Sequence, residues 1–181
     1  LRAAVAEANA RFYRLSYDSE TEILVTAGAT AALAASFLAF LQPDDEAIIL
    51  PPCYDSYAPM IEAAGARAVA VPLAPPAWRI DADRIARAIT PKTRLIAINS
   101  PHNPTARVID DEERAALAAL ALKHNLIVVC DEVYEHLVFD GRTHKPLAQI
   151  DGMRERTVRI GSAGKTFSMT GWRIDYVSGP A

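Results

Sequence analysis

The chain has 181 residues, 51% hydrophobic and 23% charged, with a formal net charge of −3. That supports a globular chain with one sizeable core. The weak negative charge argues against nucleic acid as the main partner, and no apolar stretch reaches the roughly 20 residues of a membrane-spanning helix. Cys53 and Cys130 do not make a disulfide framework. No secretory leader is visible, although the chain opens at Leu1 in what reads as mid-helix. A cytoplasmic setting is the expectation.

Strand-like apolar runs alternate with helical patterns, which points to an α/β domain with a largely parallel sheet. A helix over 1–13 precedes a strand near 22–26, and Thr26-Ala27-Gly28-Ala29-Thr30 opens a helix over 29–41. A strand near 47–50 ends at Pro51-Pro52-Cys53-Tyr54, and a helix over 53–64 follows. A strand near 67–72, a helix over 81–88 and a strand near 94–98 come next, the last running into Asn99-Ser100-Pro101-His102-Asn103-Pro104-Thr105. The clearest helix covers 110–124. Asp110 and Glu113 make a capping-box start. Acidic residues fill its first turn, and Lys123 and His124 its last, which suits the helix dipole. A strand near 126–130 precedes Asp131 and Tyr134, and one near 157–160 precedes Ser162. The connection 161–172 holds three glycines and no convincing helix. It is too short for a crossover, so the last strand, 173–178, is expected to run antiparallel. The expected architecture is a three-layer α/β/α domain over 1–181 with a mostly parallel seven-stranded sheet.

Ligands of open α/β sheets bind beyond the carboxyl ends of the strands. Five such ends carry polar residues here, and Lys165 is the most informative of them. It is one of only four lysines, against fifteen arginines. Lys92, Lys123 and Lys145 read as solvated charges. Lys165 lies in Gly161-Ser162-Ala163-Gly164-Lys165-Thr166-Phe167, with Arg173 eight residues on. An amine on a glycine-flexed turn, near a hydroxyl and a guanidinium, suits covalent capture of a phosphorylated aldehyde as a Schiff base. A nucleotide-binding loop is the rival, because Gly164-Lys165-Thr166 ends like Gly-x4-Gly-Lys-Ser/Thr and 126–132 is an apolar strand ending in acids. Against it, Arg159 stands where the first glycine belongs, the acidic strand comes before the lysine, and Thr170-Gly171 follows too soon for a good helix. The four histidines lack metal-ligand spacing, and Cys53 lacks an evident base.

Four motifs, in order and spacing, carry a resemblance. They are Val25-Thr26-Ala27-Gly28-Ala29-Thr30, Pro101-His102-Asn103-Pro104-Thr105, Asp131-Glu132-Val133-Tyr134, and Ser162-Ala163-Gly164-Lys165-Thr166-Phe167 followed by Gly171-Trp172-Arg173. Over essentially its whole length the chain resembles the large domain of fold-type I pyridoxal-phosphate enzymes of the class I/II aminotransferases. The branch is that of methionine, kynurenine and aspartate aminotransferases. The resemblance implies pyridoxal 5'-phosphate as cofactor, bound to Lys165, whose freed amine then moves the substrate α-proton. Asp131 would pair with the protonated pyridine nitrogen, and Asn103 and Tyr134 would hold the ring's phenolic oxygen. The phosphate would rest on the Ala29 and Thr30 amides after Gly28, with Ser162 and Arg173 completing the cradle. Tyr54 would stack on the ring, with Tyr57 as the substitute. Taken singly, each has a plainer reading: a turn for Gly28 and Asn103, a helix cap for Asp131, a core aromatic for Tyr134, a surface strand residue for Arg173.

The implied activity moves an α-amino group between an amino acid and a 2-oxo acid in a homodimer. A carbon–sulfur β-lyase is the alternative, and a cofactor-binding sensor domain of a transcription regulator a further one. Two positions depart from the pattern, with Ala106 and Asp175 in place of glycines. Residues 173 and 175 are expected on one strand face, where Asp175 would compete with the phosphate for Arg173. The family's N-terminal arm and C-terminal small domain, with the arginine that grips the substrate carboxylate, are expected to be absent. The chain alone should then load the cofactor but turn over poorly.

Overall fold

A computed structural model describes residues 1–181. Its elements are α1 (Arg2–Tyr13), β1 (Ile23–Ala27), α2 (Ala29–Phe40), β2 (Glu46–Ile49), α3 (Tyr57–Ala63), β3 (Arg67–Ala70), α4 (Ala82–Ala88), β4 (Thr93–Asn99), α5 (Asp111–His124), β5 (Ile127–Asp131), β6 (Thr157–Ser162), α6 (Ala163–Thr166) and β7 (Ile174–Ser178). The seven strands form one sheet in the order β1-β7-β6-β5-β4-β2-β3. β7 is antiparallel to both β1 and β6, and every other pair is parallel. The antiparallel strand therefore lies inside the sheet. β1, at the edge, points the same way as β6.

The alternation of side chains along β4 and β5 explains the layers. Leu95, Ala97 and Val129 join one core with Leu33 and Phe37 of α2 and Ile61 of α3. Ile96, Ile98, Val128 and Cys130 face the other core, with Ile85 of α4 and Leu117 and Ala121 of α5. Strands covered on both faces read as unbroken apolar runs, as these do. α5 has the capping box its sequence announced. The Glu113 amide donates to Asp110 Oδ1 at 3.0 Å, and the Asp110 amide donates to Glu113 Oε2 at 3.1 Å. No helix is long and apolar enough to cross a membrane.

Three expectations need correction. α3 begins at Tyr57, not near 53, because turns from the Pro51-Pro52 pair onward precede it. The connection after β6 holds one helical turn, α6, in which the Ser162 hydroxyl accepts from the Lys165 amide at 3.0 Å. Arg173 is not a strand residue. It closes the 3-10 turn Thr170–Trp172 in the left-handed region, with φ 54°.

Candidate functional site

A cavity of about 150 Å³ lies at the carboxyl ends of the parallel strands. Nine of the ten site residues expected from sequence line it, and the tenth, Gly28, lies under Arg173. Ala29 and Thr30 come from the start of α2, Tyr54 from the turn after β2, and Asn103 from the loop after β4. Asp131 and Tyr134 follow β5, Ser162 and Lys165 follow β6, and Arg173 enters β7. The Lys165 Nζ stands 5.9 Å from the centre of the Tyr134 ring.

Local chemistry fixes each part. Gly28 has φ 95°, a conformation other residues rarely adopt. A Cβ built on it would lie 2.1 Å from Arg173 Nη2. Only glycine allows the guanidinium to close over the start of α2. The first amides of a helix lack internal acceptors and carry the positive end of its dipole, so an anion is favoured there. The Ser162 hydroxyl accepts from the Lys165 amide and so keeps its own proton free to donate into the cavity.

Asp131 is buried, and Tyr57 Oη donates to its Oδ2 at 2.6 Å. Tyr57 is itself 1% exposed. It braces the carboxylate from behind, so the substitute stacking role suggested by its neighbourhood with Tyr54 does not hold. Burial is the largest influence on Asp131 and raises its pKa from 3.8 to about 6; the bonds from Tyr57 and the Val133 amide oppose the rise. The wild-type fold therefore loses stability as pH climbs from about 4 through 6. Asp131→Asn keeps an acceptor for Tyr57 and removes the buried charge. It is expected to stabilise the cofactor-free protein at pH 7 by about 3 kcal/mol, with the gain vanishing near pH 4. Urea unfolding across that range measures it, and an unchanged stability at pH 7 contradicts the assignment.

Sequence reasoning gave Asn99 no role and gave Asp175 a different partner. Asn99 lines the cavity, donates through Nδ2 to the Asp131 carbonyl at 2.8 Å and accepts the Asn103 amide at 2.6 Å. Its place at the end of an apolar strand was the available signal. Asp175 also lines the cavity, but it does not reach for Arg173. Its Oδ2 accepts from the Ala29 amide at 2.5 Å. Arg173 has left the strand, so the two side chains do not share a strand face. Ala106 has φ 57°, so the second departure does put alanine in the left-handed region, at a cost of roughly 1–2 kcal/mol.

The donor set fits a phosphorylated pyridine aldehyde. It joins an amine, a buried carboxylate for a ring nitrogen, and an anion cradle of guanidinium, hydroxyl and helix amides in one cavity. Asp175 alone is out of keeping. This fold with this cavity is that of the fold-type I pyridoxal-phosphate enzymes.

The family model described as "Aminotransferase class I and II" matches residues 1–181. The chain belongs to that family, whose members use pyridoxal phosphate. It is 51% identical to the probable N-succinyldiaminopimelate aminotransferase of Mycobacterium tuberculosis, over all of this chain and 46% of that protein. It is 41% identical to the methionine aminotransferase of Escherichia coli, over all of this chain and 47% of that protein. The solved structure of the mycobacterial enzyme superposes with a TM-score of 0.97, covering 99% of this chain and 47% of that one. The chain thus spans about half the length of the relatives it matches.

Proposed function

We propose that the protein transfers an α-amino group between an amino acid and a 2-oxo acid, with pyridoxal phosphate held on Lys165. The observation that carries this is the meeting of Lys165, Asp131 and Arg173 around one cavity. When bound, the cofactor supplies an aldehyde that takes up the amino group and a ring that withdraws electrons from the substrate Cα.

The chain's own residues do the rest. Asp131 would hold a proton on the ring nitrogen, with Tyr57 keeping the carboxylate in place and Asn99 holding the Asp131 backbone carbonyl. Lys165 Nζ would take the proton from the substrate Cα and give it back on the far side of the substrate nitrogen, at the carbon that was the cofactor's aldehyde. Such proton transfer contributes about 10²–10⁴-fold to rate. Asn103 and Tyr134 would hold the ring's phenolic oxygen, and Tyr54, 39% exposed, would stack on the ring. Arg173, Ser162 and the amides at the start of α2 hold the phosphate.

A homodimer belongs to this reading, as the family resemblance implies. Phe167 and Trp172, 71% and 72% exposed in the segment joining Lys165 to Arg173, offer an apolar edge that further protein would cover. The 51% identity to the mycobacterial protein makes N-succinyldiaminopimelate the first donor to try. With 2-oxoglutarate as acceptor, glutamate should form in step with loss of the donor. Release of pyruvate and ammonia from a cysteine conjugate, with no glutamate formed from any donor, would replace transfer by β-elimination.

A further inference from the structure

We infer that Asp175 is an internal anion that competes with the cofactor's phosphate for the start of α2, and so sets how tightly phosphorylated ligands bind. The inference rests on the proposed use of the cavity and specifies one of its residues.

The strand register places Asp175 opposite Thr26 on one side and Ser162 on the other. Those two partners lie at or next to the ends of the strands that lead into the phosphate cradle. Asp175 therefore enters the cradle from its floor. Its side chain is 95% or more withdrawn from solvent, at 5% residual exposure. Oδ2 accepts the Ala29 amide at 2.5 Å. Oδ1 is buried with no hydrogen-bond partner. A carboxylate with one oxygen on a helix amide and the other unpaired is half-satisfied, and an unpaired buried acceptor is costly. The cavity lining offers the Arg173 guanidinium, the Ser162 hydroxyl and Thr30 nearby. This is the equipment for one more anion than the fold itself supplies.

A phosphate settling on the Ala29 amide must displace that carboxylate or share the site with it. Like charges in one partly desolvated hole disfavour each other. In the absence of ligand the carboxylate serves α2 by occupying an orphan amide at the positive end of the dipole. The same residue thus stabilises the empty protein and opposes the phosphorylated ligand. A ligand without phosphate escapes the conflict.

The test is a set of binding titrations on wild type, Asp175→Asn and Asp175→Gly. Pyridoxal phosphate, unphosphorylated pyridoxal and inorganic phosphate are the probes. Absorbance follows the two aldehydes, and thermal unfolding follows phosphate. Asp175→Asn keeps the size of the side chain and an acceptor for the Ala29 amide, so it tests charge without a cavity. It is expected to tighten pyridoxal phosphate by about tenfold or more, the scale of one removed like charge. Pyridoxal should change less than about twofold, and inorganic phosphate should raise the melting temperature of the variant more than that of wild type. Equal affinities of wild type and Asp175→Asn for pyridoxal phosphate overturn the inference. So does an equal gain for both aldehydes, which would mean a change of shape. If no protein in the set develops an aldehyde-dependent band, the cofactor reading fails instead. The phosphate arm then still decides whether Asp175 guards an anion site.

Discussion

Lys165→Ala is expected to lack the visible absorption band predicted for the wild type with pyridoxal phosphate, and to lower the proposed amino-group transfer by at least about 10²–10⁴-fold, the scale of one lost acid–base group. The band is expected to depend on this lysine, because the other three do not line the cavity. Lys92 and Lys123 are exposed, and Lys145 is paired with Asp111 at 2.5 Å. Lys165 is half-buried, on a turn whose first amides are tied to Ser162 and whose chain is shortened by the Gly164 carbonyl accepting from the Met169 amide at 2.9 Å. Lys165→Arg separates charge from nucleophilicity. A guanidinium keeps the positive charge but forms no stable bond with an aldehyde at neutral pH, since it stays protonated. Both variants should retain the fold, because Lys165 makes no side-chain hydrogen bond or ion pair that its loss would strand. A band of full intensity in Lys165→Ala would place the covalent attachment elsewhere and sink the site.

The parts of this design that repeat locally were legible in the sequence. Apolar runs such as Ile127–Cys130 announce doubly covered strands, and the Asp110–Glu113 box announces the start of α5. The short connection after β6 announced the direction of β7, because a parallel return needs a longer crossover. The expected site residues gather at one cavity because strand ends bring them to one rim whatever the loops do. What stayed hidden was the pairing of side chains far apart in the chain. Tyr57 meets Asp131 across 74 positions, and Asp175 meets Ala29 across 146. Neither pairing has a period or a motif. Arg173 read as a strand residue because a left-handed arginine is uncommon, and nothing in Gly171-Trp172-Arg173 signals it. That single dihedral separates Arg173 from Asp175 and turns the expected contest for the guanidinium into one for a helix amide.

The largest effect on stability is expected at a residue outside the cavity. Arg159 is 4% exposed, yet it lies in β6 among buried acids. Its Nε donates to Glu132 Oε2 at 2.7 Å, its Nη2 donates to Glu135 Oε2 at 3.1 Å, and its Nη1 donates to Asn9 Oδ1. The guanidinium also lies 4.7 Å from the centre of the Tyr13 ring. Tyr176 Oη donates to Glu135 at 3.0 Å, and His144 Nε2 stands 3.3 Å from Glu132. The cluster thus ties α1, β6, β7 and the residues on either side of Tyr134 into one unit. Glu132, Glu135 and His144 approach as metal ligands do, but the guanidinium already holds both carboxylates. Burial would raise the pKa of Glu132, and Arg159 with His144 overrides it, leaving a value of about 2. Because that pKa is depressed, the contribution to stability is complete above the usual 4.5 and is lost only as pH falls toward 2. Arg159→Met strands the two acids. Breaking a buried pair from one side typically costs about 3–5 kcal/mol, whereas an exposed pair such as Arg2–Glu20 is worth roughly 0–1 kcal/mol. The variant should recover part of its loss as pH falls from 7 to 5, because its unpaired buried carboxylates then take up protons. Urea unfolding of wild type, Arg159→Met and Arg2→Met at both pH values measures this. If Arg159→Met costs no more than Arg2→Met, the cluster does not hold the fold together. If the expected loss appears, loading of pyridoxal phosphate should weaken with it, because Glu132 and Glu135 fix the backbone between which Tyr134 faces Lys165.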